Sequence, residues 1–322
     1  MKKYYITGAC GMMGSHLIDR LNAQGVKREN IIASFFKPTV DIAETFELAS
    51  YQECDVRYFP SIHQIIATNL PDVIFHLAAQ SYPTVSWIRP QETMEINSTG
   101  TINVFESIKL IRTTNPSYDP VVVVACSSAE YGASLTPENV PVKETCELLP
   151  LHPYGVSKVA QDLLSYQYFH NDHIKTVRAR IFNTTGPRKK NDVLSDFTKR
   201  AVEIEKGLQT TLLVGNLHTQ RALTDVRDMV NALILLSEKA KWGEVYNISG
   251  EKAYLIKDLL PIIFKEIGKE LKVEVSPALV RPSDEPIIFG DSTRLKKQTG
   301  WKQEYSIETT TVDMINYWRA KL

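Results

Sequence analysis

Several protein classes are excluded by what this 322-residue sequence lacks. Neither charge is in surplus, since Lys and Arg total 37 and Asp and Glu total 37. Without a block of one sign there is no electrostatic footprint for nucleic acid or an anionic membrane, so small molecules are the expected partners. No apolar run approaches the roughly 20 residues that cross a bilayer. The chain passes from Met1 to Gly8 with no room for a targeting segment, so a soluble protein of the cytoplasm is expected. Cysteine is scarce, with only Cys10, Cys54, Cys126 and Cys146, and none form a CxxC pair. That argues against a disulfide framework and supplies no metal-ligand spacing, so no metal is expected. Internal repeats and low-complexity tracts are also absent.

What is present suits a large core. Apolar residues make up 43% of the chain, and the length suits one large fold or two unequal lobes sharing a cleft. Short apolar runs at Tyr4 to Thr7, Ile31 to Phe35, Val73 to Leu77 and Val121 to Ala125 alternate with amphipathic stretches at Met13 to Gln24, Ser61 to Leu70 and Glu95 to Ile111. Such alternation predicts an α/β fold with a parallel sheet covered on both faces. The four valines 121–124 suit a strand buried on both sides. Beyond residue 186 the pattern changes to a polar loop, a helix over Phe197 to Lys206 and Pro/Arg-rich segments near 221 and 281. The expected organisation is a dinucleotide-binding domain over 1–186, to which the chain returns at about 226–248, and a smaller, discontinuous substrate lobe over 187–322.

Gly8-Ala9-Cys10-Gly11-Met12-Met13-Gly14 lies between the first predicted strand and the first predicted helix. Glycines there allow a tight turn and close approach of backbone N–H groups to a pyrophosphate, with the helix N-terminus attracting its charge. This predicts a Rossmann doubly wound sheet holding a nicotinamide dinucleotide on Gly8, Gly11, Met12, Met13 and Gly14. Asp55 and Val56 follow a possible third strand, where adenine would lie, and Leu77, Ala78 and Ala79 leave room over the ribose. The second strand ends Ala33-Ser34-Phe35-Phe36-Lys37, without the carboxylate typical of NAD sites. Ser34 and Lys37 could instead hold a 2′-phosphate, which points to NADP rather than NAD.

Tyr154 and Lys158 are four residues apart, one helical turn, and so share a face. A free phenol titrates at about 10, too high for efficient proton exchange near neutrality. The Lys158 ammonium, expected also to hold the nicotinamide ribose, and the positive nicotinamide ring are expected to lower that value, making Tyr154 the general acid or base at the substrate oxygen. Ser127, just after the buried valine strand, would bond the same oxygen.

Taken together these motifs resemble the extended short-chain dehydrogenase/reductase family of nucleotide-sugar epimerases, dehydratases and reductases. The resemblance spans nearly the whole chain: the glycine motif, HLAAQS at 76–81, SSAEYG at 127–132, PYGVSK at 153–158 and RIFNTTGP at 180–187. The C-terminal segments RPSDEP at 281–286 and GDSTRLKKQTGW at 290–301 are similar to the branch containing GDP-mannose 4,6-dehydratase and GDP-4-keto-6-deoxymannose reductase. The resemblance implies a GDP-linked sugar substrate contacted by Gln80, Ser128 and Asn183, with Arg221 and Arg281 neutralising its diphosphate. It also implies a homodimer through helices at about 95–111 and 154–170. One position departs from the dehydratase pattern. Dehydratases carry a Glu before the Tyr-Gly pair, as the base that removes a proton beside the transient ketone; here that position is Ala129. Glu130, one residue on, should point to the opposite side of an extended segment. Hydride transfer at C4, as a 4-keto reductase, is therefore expected. The alternatives are the 4,6-dehydratase itself, a C4 oxidase or epimerase with tightly held cofactor, and a non-catalytic dinucleotide-binding scaffold.

Overall fold

The structure, a computed structural model, describes residues 2–279 and 285–322. Its first half runs β1 (Tyr4–Thr7), α1 (Met12–Ala23), β2 (Ile31–Phe35), β3 (Ser50–Glu53), α2 (Phe59–Asn69) and β4 (Val73–His76). Then come the short helices α3 (Pro83–Ile88) and α4 (Pro90–Met94), a π-helical turn at Glu95–Thr99, α5 (Gly100–Thr114), β5 (Val121–Ser127), α6 (Pro153–Asp172) and β6 (Lys175–Ile181). The expected helix over Glu95 to Ile111 is thus divided, its first turn widened to π geometry. Weak helix formers, Asn97, Ser98 and Thr99, occupy that turn.

In the second half are β7 (Thr184–Thr185), α7 (Val193–Glu205), β8 (Leu212–Val214), β9 (Gln220–Ala222), β10 (Thr224–Asp225), α8 (Val226–Lys239) and β11 (Val245–Ile248). The chain ends with β12 (Ala253–Leu255), α9 (Leu260–Ile267), β13 (Val273–Val275), β14 (Ile287–Ile288), α10 (Thr293–Thr299) and α11 (Ile307–Lys321). Seven strands form one sheet in the order β11-β6-β5-β4-β1-β2-β3, every pair parallel.

Strand residues alternate between two cores, as the two-residue period of a strand requires. Ile6, Ala33, Val123 and Ala125 pack with Leu17 of α1 and Leu233 of α8. Tyr5, Ile32, Val122 and Val124 pack on the other face with Ile62 of α2 and Phe105 of α5. A third core joins α7, α9 and α11 through Phe197, Ile263 and Trp318. The strand order reverses between β1 and β4, and parallel sheets open a crevice at the carboxyl ends of the strands at such a point.

Candidate active site

A cleft of about 610 Å³ opens there. One wall is the turn from β1 into α1. Gly8 has φ of +68°, and a Cβ on it would lie 2.8 Å from the Ala78 amide nitrogen, so glycine lets the turn close on the end of β4. α1 starts at Gly11 with no side-chain cap, leaving its first N–H groups for an anion. Met12, Met13, Gly14, Val56, Leu77, Ala78 and Ala79 also line the cleft. This cradle of bare backbone fits a dinucleotide.

One residue read from the sequence as a cofactor contact is placed away from the cleft, and a second lines it already partnered. Ser34 lies on the face of β2 shared by Ile32, is fully buried, and bonds the Tyr5 hydroxyl at 2.9 Å. It cannot reach a ribose phosphate. Asp55 lines the cleft, but its carboxylate accepts from the backbone N–H, Nε and Nη2 of Arg57, which hold it below the usual carboxylate range. Lys37 does reach the rim, exposed, its ammonium 5.3 Å from the centre of the Phe36 ring.

The opposite wall carries the reactive set. α6 begins at Pro153, and its N-cap His152 accepts the Gly155 N–H on Nδ1 at 3.0 Å. A Cβ on Gly155 would lie 2.6 Å from the Ala129 carbonyl oxygen, so glycine lets α6 close on the turn after β5. This brings the Tyr154 phenol towards Ser127, whose hydroxyl acts to lower the phenol's pKa. Lys158 follows one turn later, only 3% exposed, donating from Nζ to the Ala125 carbonyl and Gln161 Oε1, both at 2.7 Å.

The electrostatics correct the expectation for Tyr154. Burial pushes its phenol up to about 12, with Ser127 opposing and the charge of Glu130 adding to the rise. The Lys158 ammonium is turned to its own two acceptors, 5.8 Å from the phenol ring centre, and burial lowers it to about 8. The protein's own residues therefore place the pair without making the phenol acidic.

The substrate residues divide. Asn183 and Ser128 line the cleft, and Asn183 Oδ1 is buried without a hydrogen-bond partner among the described residues. Gln80 is also in the wall, but its amide is committed to Tyr82 and Thr93. Arg221 is not in the wall; it is buried on β9, donating to the Gln220 and Glu285 carbonyls. Arg281 lies outside the described residues. Lys189 and Lys190 do line the cleft, and the sequence reading had them only as a polar loop. It also missed Asn97, fully buried in the π turn, which accepts the Gln80 N–H and donates to the Gln80 carbonyl and Ser127's neighbouring helix at Ser157. The Asn-Ser-Thr-Gly run at 97–100 was the available signal.

Ala129 lies in the cleft wall, whereas Glu130 is fully buried behind it. The turn Ser128–Glu130 is 3-10 helical rather than extended, and turns the acid inward. Cys126, Glu130 and Asp162 bring ligand-type atoms within 4.8 Å of one another. Arg178 and Arg180 already engage these carboxylates, making the group an ion-pair cluster.

Comparison with known proteins agrees with this site. The family described as GDP-mannose 4,6 dehydratase matches residues 5–314. The chain belongs to that family. The resemblance read from the motifs is borne out, and with it membership of a family of nucleotide-sugar enzymes. Among relatives of this GDP-mannose 4,6-dehydratase family member, GDP-6-deoxy-D-mannose reductase of Pseudomonas aeruginosa is 28% identical over 255 residues, 79% of this chain and 82% of that one. GDP-mannose 4,6 dehydratase 2 of Arabidopsis thaliana is 28% identical over 324 residues, 97% of this chain and 85% of the relative. The solved structure of RMD from Pseudomonas aeruginosa complexed with NADPH superposes with a TM-score of 0.84 over 100% of both chains at 24% identity, a likeness of fold.

Proposed function

We propose that this chain is an NADP-dependent oxidoreductase acting at C4 of a GDP-linked deoxyhexose, most simply a 4-keto reductase. The observation that carries the reading is the Ser127, Tyr154 and Lys158 set facing one cleft beside Ala129, with Glu130 turned out of that cleft. When bound, the dinucleotide supplies the hydride. Tyr154, protonated across the neutral range, gives its proton to the oxygen that becomes the alkoxide. Ser127 fixes that oxygen within reach of the phenol, and Lys158 holds the floor of the site through Ala125 and Gln161. A methyl at position 129 abstracts no proton, so elimination of water lacks its base at this turn.

Lys37 at the rim and the absence of a carboxylate closing β2 favour NADP over NAD, on the cation alone now that Ser34 is accounted for elsewhere. Asn183, whose Oδ1 has no hydrogen-bond partner among the described residues, and the cations of Lys189 and Lys190 supply diphosphate contacts. The GDP linkage is taken from the relatives' own substrates, as their names give them. A homodimer is supported by apolar side chains left exposed on α5 (Leu110) and α6 (Val156, Leu163, Tyr166). No helix among the described residues is long and apolar enough to cross a membrane, and the four cysteines are free. Both suit a reducing cytoplasm.

The test is to supply NADPH and GDP-4-keto-6-deoxymannose in one assay and GDP-mannose in another. Oxidation of NADPH in the first with no keto product in the second is expected. Conversion of GDP-mannose to a 4-keto-6-deoxy sugar overturns the reductase reading.

A further inference from the structure

Behind the reactive wall is a charged group that the chemistry above does not use. Glu130 is fully buried, and its Oε1 accepts the Ser127 N–H at 2.8 Å while the Ser127 hydroxyl accepts the Ala129 N–H at 3.1 Å. These two reciprocal bonds form a capping box on the short turn that carries the serine. The other oxygen, Oε2, is 3.1 Å from Arg180 Nε yet accepts no hydrogen bond among the described residues. Asp162, equally buried on α6, takes the same Arg180 Nε at 2.9 Å and Arg178 Nη1 at 2.7 Å. Arg180 goes on to the Tyr131 hydroxyl and the Glu144 carbonyl, and Tyr131 to Asn247 on β11.

We propose that Glu130 is a positioning residue for the catalytic serine: Oε1 fixes the Ser127 backbone, and Oε2 carries a proton shared with Asp162, so that no free anion stands behind the phenol. The orphaned Oε2 is then a donor rather than an unfilled acceptor, which removes the cost of leaving a buried oxygen unpaired. Burial and the neighbouring Asp162 carboxylate both raise the Glu130 carboxyl, against the pull of Arg180 and the Ser127 N–H. Two carboxylates in a dry site do not both ionise freely when one proton can bridge them.

The consequence reaches Tyr154. The groups facing the phenol are Ser127 and Cys126 from β5, Glu130 from the turn, and His152 and Lys158 from α6 and its cap. Those facing Glu130 are Cys126 on β5, Asp162 and Lys158 on α6, and Arg180 on β6. Among them, a Glu130 anion would oppose formation of the phenolate. With the proton held between the two acids that opposition is absent, so a neutral amide at position 130 should leave the limb of activity governed by Tyr154 where it is.

The proposal rests on the reading of Ser127, Tyr154 and Lys158 as the proton-handling set. Its test compares Glu130→Gln and Glu130→Ala with the parent, all checked for fold by circular dichroism. The amide of Gln can accept the Ser127 N–H and donate to Asp162, as the protonated acid does. Alanine does neither and is expected to lower kcat by about 10- to 100-fold through a misplaced Ser127, with KM little changed. Glutamine is expected to restore most of that loss and to leave the Tyr154 limb where it is in the parent. Equal rates in the two variants, a Tyr154 limb moved to lower pH by Glu130→Gln, or abolished turnover in a folded Glu130→Gln protein, overturn the proposal. The second outcome would show that an anion had stood behind the phenol, and the third would make Glu130 a reacting acid or base. Should no GDP-sugar turn over in the parent, the proposed function fails by itself. The Tyr154 titration can still be followed by tyrosinate absorbance, with Tyr154→Phe in each background as reference, and a titration moved to lower pH by Glu130→Gln also overturns the proposal.

Discussion

At the scale of single residues, Tyr154 is held as a phenol, pushed up to about 12 by burial with Ser127 opposing the rise. Removing its hydroxyl leaves the cradle at Gly8 to Gly14 untouched, because that wall is built by β1 and α1. Tyr154→Phe should therefore lower kcat by about 10²- to 10⁴-fold while NADPH binding, followed by nicotinamide fluorescence, changes little. Turnover within a few fold of the parent would sink the assignment. Lys37 gives a second residue-level expectation. If its cation faces a 2′-phosphate, Lys37→Ala weakens NADPH by about tenfold and NADH hardly at all, a loss of one charge-assisted contact. Equal weakening of both would remove the basis for NADP. Tyr154, Lys158 and Ser127 were legible in the sequence because helical spacing and a strand end define where they point. Ser34 was not, since one residue along a strand decides between cleft and core, and parity with Ile32 sends it inward. The inward turn of Glu130 was half legible: its direction followed from spacing, but the 3-10 turn and the arginines that receive it come from β6, far along the chain.

Elements place these residues through a few close approaches. The start of α6 meets the turn after β5 only because position 155 has no side chain. Gly155→Ala should push the helix start off that turn, costing about 1–3 kcal/mol by overpacking and moving Tyr154 away from Ser127. Denaturant unfolding and kcat measured together check it; unchanged stability and rate would show that the contact is not tight. β4 is tied in by His76, fully buried between Thr7 on β1 at 2.9 Å and Thr101 on α5 at 3.1 Å. Burial, with Lys158 adding to it, lowers this imidazole from 6.5 to about 3. A folded value below the unfolded one means that the neutral ring's contribution is complete above pH 6.5 and declines as pH falls towards 3. The decline is about 1.4 kcal/mol per pH unit for one proton. Urea unfolding at about pH 7 and pH 5 should show the parent losing more stability than His76→Gln; parallel losses would count against it. Strands and helices of the first half were readable from alternation and glycine position. The π turn at Glu95–Thr99 was not, because an extra residue per turn leaves the apolar periodicity around it nearly intact.

Over the whole molecule, the apolar surface is not spread evenly. α5 and α6 pack side by side on one face of the sheet, and their outer sides expose Leu110, Val156, Leu163 and Tyr166, with Trp87 and Ile88 on the adjoining α3. Apolar side chains left exposed on neighbouring helices of a chain with no net charge mark a protein interface. Two such helices from each copy, related by a two-fold axis, would cover one another, as an isologous contact requires. Such an assembly would have a functional side, since α6 carries Tyr154 and Lys158 at its inner end and its outer side would be clamped by the partner copy. Replacing Leu163 with Glu places a charge in the middle of that surface, where burial without a partner is costly. Sedimentation of the parent should give twice the mass of one chain, and Leu163→Glu should give single chains at the same concentration. Its kcat should fall as α6 loses outer support, whereas Leu208→Glu, at an exposed leucine following α7, should leave mass and rate as they were. A parent that sediments as a single chain at micromolar concentration would rule out the dimer and leave the exposed face without that explanation.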